Sequence, residues 1–315
     1  MTTLLITQPD GADHRTPPGH PERGERLKAL DEAFAASRFG RLARAEAVAA
    51  DLVLAEAVHS ASMLAALRAA VPEAGIGQIE TDTFLSPKSL EVAASALGGA
   101  LMALDAVMGG RAENAFCAIR PPGHHAERNR SMGFCLINTI AIVAQEARRR
   151  YGVERVAILD FDVHHGNGTE DIFKNDPDTF YGSSHQWPLY PGTGTLDETG
   201  VGNVVNAPLP PYSGGKEMRE AYRDRILPAL RAFGPDLILI SAGFDADGRD
   251  PLAQLQWQPD DFAWVTGKLM DAAGGSADNR MVSLLEGGYD LVALAEGAAA
   301  HLGVLMSGVA AKAAE

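Results

Sequence analysis

Val156-Ala-Ile-Leu-Asp160-Phe-Asp-Val-His164-His165-Gly-Asn-Gly168 opens with four apolar residues and then turns abruptly polar. Unbroken apolarity over so short a run predicts a parallel strand buried on both faces. Three other segments repeat the plan. Residues 115–119 lead into Arg120-Pro-Pro-Gly-His124-His125, residues 237–240 into Ser241-Ala-Gly-Phe-Asp245, and residues 281–285 into Glu286-Gly-Gly-Tyr289. Helical patterns lie between them, at residues 137–150, 216–233 and 259–273, and an early one at 21–35 puts Leu27, Leu30 and Phe34 on one face. Alternating strands and helices predict an α/β fold, with a central, mostly parallel sheet flanked by helices. No repeat and no Pro/Ser/Gly linker divides the chain, so one domain is expected over residues 1–315.

Composition narrows the function. Of the 315 residues, 46% are apolar and 22% charged, the balance of a globular protein with a sizeable core. The 27 basic and 41 acidic side chains leave a net charge of −14, a poor match for nucleic acid, which needs clustered Lys and Arg. Cys117 and Cys135 form no CxxC, which argues against a disulfide framework or a Cys-rich metal knot. The first residues carry neither a basic region nor a long apolar core, and the most apolar helical stretch, residues 93–108, is interrupted by Asp105 and too short to span a bilayer. A cytoplasmic chain without membrane association is expected.

In open parallel sheets, ligands bind beyond the carboxyl ends of the strands. All four runs deliver their unusual polar residues to that edge. If the strand continues through Asp160, then Asp160, Asp162 and His164 share one face. Two carboxylates and an imidazole at a buried strand end are unfavourable unless a cation neutralises them. Asp and His together suit zinc and similar metals. The plainer reading, one Asp in an ion pair with the histidines as polar filler, leaves the Asp-x-Asp-x-His spacing unexplained. Catalytic zinc takes three protein ligands and keeps one position open. The third is sought after another strand, with Asp245 first and Asp247 and Asp250 as alternatives. Asp250 precedes Pro251 and suits a turn. The Pro-Pro-Gly turn fixes His124 and His125 near the pocket, where one can serve as general base. Tyr289 can donate to a developing oxyanion; packing at a turn is its plainer role.

Taken together, Arg120-Pro-Pro-Gly-His-His125, Gly133-Phe134-Cys135, the Asp160–Thr169 run, Tyr190-Pro-Gly-Thr-Gly, Ser241-Ala-Gly-Phe-Asp245 and Glu286-Gly-Gly-Tyr289 resemble the histone deacetylase superfamily. The branch most similar is class II and the bacterial amidohydrolases, and the similarity runs from His20-Pro-Glu-Arg23 to Tyr289. The resemblance implies the three-layer arginase/deacetylase-like fold and removal of acetyl or similar short acyl groups from an amine. It implies one zinc per chain on Asp162, His164 and Asp245. His125 becomes the general base, His124 its partner near the leaving amine, and Tyr289 the hydrogen-bond donor to the scissile carbonyl. Asp160 orients His124, and Asn167 orients His125. Gly133, Phe134 and Tyr190 line a narrow tunnel for an alkyl chain, and residues 160–164 with Ser183 and Ser184 match the family's structural potassium site.

Leu252 stands where relatives that favour acetylpolyamines carry an acid, which points to acyl-lysine-type substrates, small molecule or peptide, ahead of acetylpolyamines. Asp82 is read either as a rim residue that holds substrate backbone or as a turn residue. Two rival readings differ in class. A binuclear-manganese ureohydrolase wants Asp-x-His-x-Asp, but Gly166 follows His164 by two. A silent acyl-ligand-binding module has no use for the full set of ligands, histidines and Tyr289. His59 and His301, in helical patterns, are read as surface or satisfied core residues, Trp257 and Trp264 as core at helical spacing, and Cys135 as a small buried residue beside the pocket. The sequence leaves oligomerisation open.

Overall fold

The four apolar runs become the four middle strands of one sheet. In chain order, the computed structural model, which describes residues 2–308, contains β1 (Thr3–Thr7), α1 (Glu25–Phe34), β2 (Ala43–Glu46), α2 (Ala61–Ala69), β3 (Gly77–Glu80), β4 (Thr83–Leu85) and α3 (Ser89–Met108). There follow β5 (Asn114–Ala118), α4 (Thr139–Tyr151), β6 (Val156–Asp160), α5 (Asn167–Phe173), β7 (Thr179–Gln186), β8 (Val204–Leu209) and α6 (Gly215–Ala221). The chain closes with α7 (Leu227–Phe233), β9 (Leu237–Ala242), α8 (Pro259–Ser276), β10 (Met281–Leu285) and α9 (Leu291–Ser307).

The strand order is β2-β1-β5-β10-β9-β6-β7-β8. Every ladder in this sheet is parallel; β3 and β4 make a separate antiparallel hairpin. Period-two alternation divides the buried side chains between two cores. Ala157, Leu159, Ile238 and Ile240 pack with Leu30 and Phe34 of α1, Phe262 and Leu269 of α8, and Leu294 and Leu302 of α9. Val156, Ile158, Leu237 and Leu239 pack on the other face with Leu97 and Leu104 of α3 and Ile140 and Val143 of α4. The result is three layers, helix, sheet and helix. Each fully buried Leu or Ile contributes ~1.5–3 kcal/mol through burial, so the unbroken runs supply the stability and leave the strand ends free for polar chemistry.

Local chemistry sets the helix bounds. The Asn138 side chain accepts from Ala141 N, and Gly152 closes α4 in the left-handed region at φ 66° behind Arg148, Arg149 and Arg150. The helix therefore starts at Thr139 rather than at 137. Residues 216–233 form one rod, but a π turn over Tyr222–Ile226 joins α6 to α7, and the hydroxyl of Ser184 in β7 donates to Tyr222 Oη at 3.2 Å. α3 begins earlier than the apolar stretch suggested. Its 20 residues are long and apolar enough to cross a membrane, yet 78% of the most apolar window is buried inside the fold.

His59 and Trp257 lie outside helices, contrary to the pattern. His59 follows the short turn Leu52–Ala57 and is buried, with Nδ1 2.9 Å from Glu127 O and Nε2 accepting from Asn138 N at 2.9 Å. Trp257 is buried on an extended segment bridged to Asp247, two residues before α8. His301 is a satisfied core residue in α9, 2.7 Å from Thr266 Oγ1 and 2.9 Å from Ser283 Oγ.

Candidate active site

The loops after β5, β6, β9 and β10 meet at the carboxyl edge of the sheet. β6 ends at Asp160, so Asp162 and His164 lie on the turn beyond it rather than on strand. There, ligand-capable atoms of Asp162, His164 and Asp245 lie within 4.8 Å of one another, and all three residues are buried. His164 Nδ1 is 3.1 Å from Asp162 Oδ1 and 3.2 Å from Asp245 Oδ2. Among the described residues no N–H is directed at Asp245 Oδ2, a buried carboxylate oxygen without a hydrogen-bond donor. Asp162 is anchored from the far side by Gly287 N, which donates to Oδ2 at 2.8 Å, and Asp245 by Val163 N, which donates to Oδ1 at 2.9 Å. Glycine is required at 287, because a Cβ there would strike both carboxylates.

Two carboxylates and one imidazole, desolvated and converging, form an N/O donor set that fits zinc. The orphaned Asp245 oxygen is the observation that a cation would satisfy. Burial disfavours the charged imidazole, but the hydrogen bond to Asp162 and the negative charges of Asp245 and Asp162 outweigh it and raise His164 to about 10. Asp247 and Asp250 are elsewhere. Asp247 pairs with Arg249, and the Asp250 carboxylate accepts from Leu252 N, Tyr289 N and Asp290 N, holding the tyrosine turn.

His124 and His125 stack beside this cluster with ring centroids 4.0 Å apart. Their partners differ. His124 Nδ1 is 3.0 Å from Asp160 Oδ2, which also accepts from the Tyr181 hydroxyl. His125 Nδ1 is 2.8 Å from Asn167 Oδ1. Asn167 donates through Nδ2 to Glu127 Oε1 at 2.6 Å, so its oxygen must face the imidazole. His125 therefore carries its proton on Nδ1 and offers Nε2 to the pocket. Burial works against charge on both rings. In His124 the carboxylates of Asp160, Asp162 and Glu286 overcome it and raise the group to about 10. In His125 burial, reinforced by His124 and His164, drives the value well below the usual imidazole range. One site thus holds a proton donor beside a proton acceptor.

Above the cluster is a pocket of about 210 Å³ lined by Asp82, His125, Gly133, Phe134, His164, Leu189, Tyr190, Leu252 and Tyr289. Phe134 and Tyr289 meet edge to face at 5.7 Å, and Tyr190 stands over His125 at 5.1 Å. Gly133 and Phe134 both have positive φ, 58° and 67°. The hairpin holds this turn, in which Phe134 carries the strain, with Gly133 N donating to Asp82 Oδ1 and Phe134 N to Thr83 Oγ1. Asp82 is therefore bound into the rim. Burial raises the Tyr289 phenol well above its usual range, with Asp245 adding to the effect, so it stays a donor. Ser183 pairs with Asp160 across β6 and β7, which brings together the two segments read as a potassium site.

Sequence reasoning missed the supports under this pocket. Glu22 lies fully buried between Arg120 and Arg26. Arg26 sends Nε to Gly288 O and Nη2 to Glu286 O, and its guanidinium lies 5.0 Å from the Tyr289 ring centroid. Glu286 is buried and binds the backbone of the His124 turn. Leu189 also lines the pocket. No spacing joins residues 22, 26, 120 and 286; Arg120 and Glu286 do flank the chemical motifs, which was the available signal.

A histone deacetylase domain model matches residues 20–305. The chain is 41% identical to the histone deacetylase-like amidohydrolase of Pseudomonas aeruginosa, over 85% of this chain and 71% of that protein. It is 37% identical to a probable deacetylase of Archaeoglobus fulgidus, over 92% of this chain and 82% of the relative. The crystal structure of the HDA15 HD domain superposes with a TM-score of 0.90 at 33% identity, covering 99% of this chain and 91% of that one.

Proposed function

Because the chain belongs to the histone deacetylase family of amidohydrolases, we propose that it removes acetyl or a similar short acyl group from acyl-lysine-type amines, using one zinc ion per chain. The convergence of Asp162, His164 and Asp245 beneath a pocket that also presents His125 and Tyr289 carries this reading.

Asp162, His164 Nδ1 and Asp245 would hold the metal. When bound, zinc supplies Lewis acidity toward the acyl carbonyl and lowers the pKa of a coordinated water. His125 Nε2 accepts the proton of the attacking water, its tautomer fixed through Asn167. Tyr289 donates its O–H to the acyl oxygen as negative charge develops there. His124, held protonated by Asp160, faces the nitrogen that must gain a proton before the amine departs. Hydrolysis yields the free amine and a carboxylate. Phe134, Tyr190 and Leu252 form apolar walls that exclude water and clasp an alkyl chain. A structural potassium belongs, in this reading, between residues 160–164 and Ser183–Ser184.

Leu252 among the lining favours an uncharged linker such as the lysine butyl chain. Asp82 on the same lining is the observation that favours a second reading, a cationic acetylpolyamine. Turnover of acetyl-lysine peptides against acetylated polyamines separates the two. For the reaction itself, a fluorogenic acetyl-lysine amide should release acetate, a chelator should stop it, zinc should restore it, and Tyr289→Phe should suppress it. Binding without acetate release would instead support a silent acyl-ligand module.

A further inference from the structure

Glu286 begins the loop after β10, yet its carboxylate does not line the pocket. It is 1% exposed and turns inward among three strand ends. Oε2 accepts from Gly123 N at 2.6 Å and His124 N at 3.2 Å, on the turn after β5. Oε1 accepts from Ser241 Oγ of β9 at 3.5 Å. The backbone of Glu286 is equally committed, with N donating to Ala242 O at 3.0 Å and O accepting from Arg26 Nη2. Among the described residues no Lys or Arg reaches the carboxylate. A buried carboxylate with no counter-cation in contact is unfavourable, and a neutral polar side chain could cap two amides more cheaply. The position asks for an acceptor that presents one oxygen to two successive N–H groups.

We propose that Glu286 is a positioning residue that clamps the Gly123–His124 peptide and so sets the His124 imidazole at the height of the departing amine. This rests on the deacetylase reading above. The clamp requires an acceptor; the negative charge adds the smallest of three carboxylate effects on His124, after Asp160 and Asp162, and glutamine removes that effect alone. A glutamine can give its carbonyl oxygen to the two amides and turn its NH2 toward Ser241 Oγ. A leucine of similar size gives neither and leaves two buried N–H groups unsatisfied.

The test compares wild type, Glu286→Leu and Glu286→Gln on an acetyl-lysine amide and on an aryl acetate ester, whose phenolate leaves without a proton. For Glu286→Leu we expect kcat on the amide to fall about 10- to 100-fold, the range for a lost supporting hydrogen bond. KM and bound metal should be unchanged and the ester largely spared. Glu286→Gln should recover amide turnover to within about threefold of wild type. Equal losses on amide and ester, together with lost metal or a lowered melting temperature in both variants, would overturn the clamp in favour of a general structural role. So would a glutamine variant as impaired as the leucine. If wild type cleaves neither substrate, the deacetylase reading fails; if wild type is active and both variants match it, the clamp alone fails.

Discussion

Two tandem histidine pairs sit at strand ends of the same sheet, and the chain uses them differently. After β5, a turn aims both rings of His124 and His125 at the site, 4.0 Å apart. After β6, the chain bends through residues 162–164, and His164 and His165 leave on opposite sides. His164 faces Asp162 and Asp245, whereas His165 turns away to Thr193 Oγ1 at 2.8 Å and Glu170 Oε2 at 3.0 Å and packs on His185. The same dipeptide therefore yields a donor–acceptor couple in one place and a ligand plus a structural brace in the other. Backbone conformation decides which way a ring points, and the partner on its second nitrogen decides what it can do. Within the first pair that partner differs, a carboxylate for His124 and an amide for His125.

Substitutions can break this contrast. His164→Ala should have the largest effect, loss of the bound metal and of turnover together, read by metal analysis and acetate release. His125→Ala should keep the metal but lower kcat by about 10²- to 10⁴-fold, the usual contribution of a general base. Tyr289→Phe should cost about 10²- to 10³-fold in kcat with normal metal content, as expected for one oxyanion donor. Asn167→Ala should cost about 10- to 100-fold, because the His125 tautomer is no longer fixed. His165→Ala should change kcat by less than about threefold. It should instead destabilise the fold by ~1–3 kcal/mol, since buried Glu170 and half-buried Thr193 lose a hydrogen-bond partner, which a thermal melt would register. A catalytic loss at His165 as large as that at His125 would erase the distinction between the pairs.

The middle of the sheet was legible because β5, β6, β9 and β10 are buried on both faces and carry unbroken apolar runs. β7 was not, because Thr179–Gln186 contains Ser183, Ser184, His185 and Gln186, all buried. Its polar groups are satisfied inside, Ser183 with His185 and Ser184 with Tyr222. An apolar-run criterion cannot see a strand that solves burial by hydrogen bonding. β2 failed for the opposite reason, a short, largely exposed edge with the sequence Ala-Arg-Ala-Glu. At the site, residues with a chemical signature were readable from spacing: Asp162, His164, Asp245, His124, His125 and Tyr289 converge. The residues that hold them, Glu22, Arg26 and Glu286, act through backbone carbonyls, backbone amides and buried ion pairs between distant segments. Such contacts exist only after folding; Glu286 flanks a chemical motif, but no local pattern announces its partners or those of Glu22 and Arg26.

The central claim is that two carboxylates and one imidazole at the sheet's carboxyl edge bind a single zinc ion. Anomalous diffraction at the zinc edge, from crystals grown with zinc, tests it directly. One peak per chain is expected, within bonding distance of Asp162, His164 Nδ1 and Asp245. Two peaks at this edge, or none between these three side chains, would contradict it.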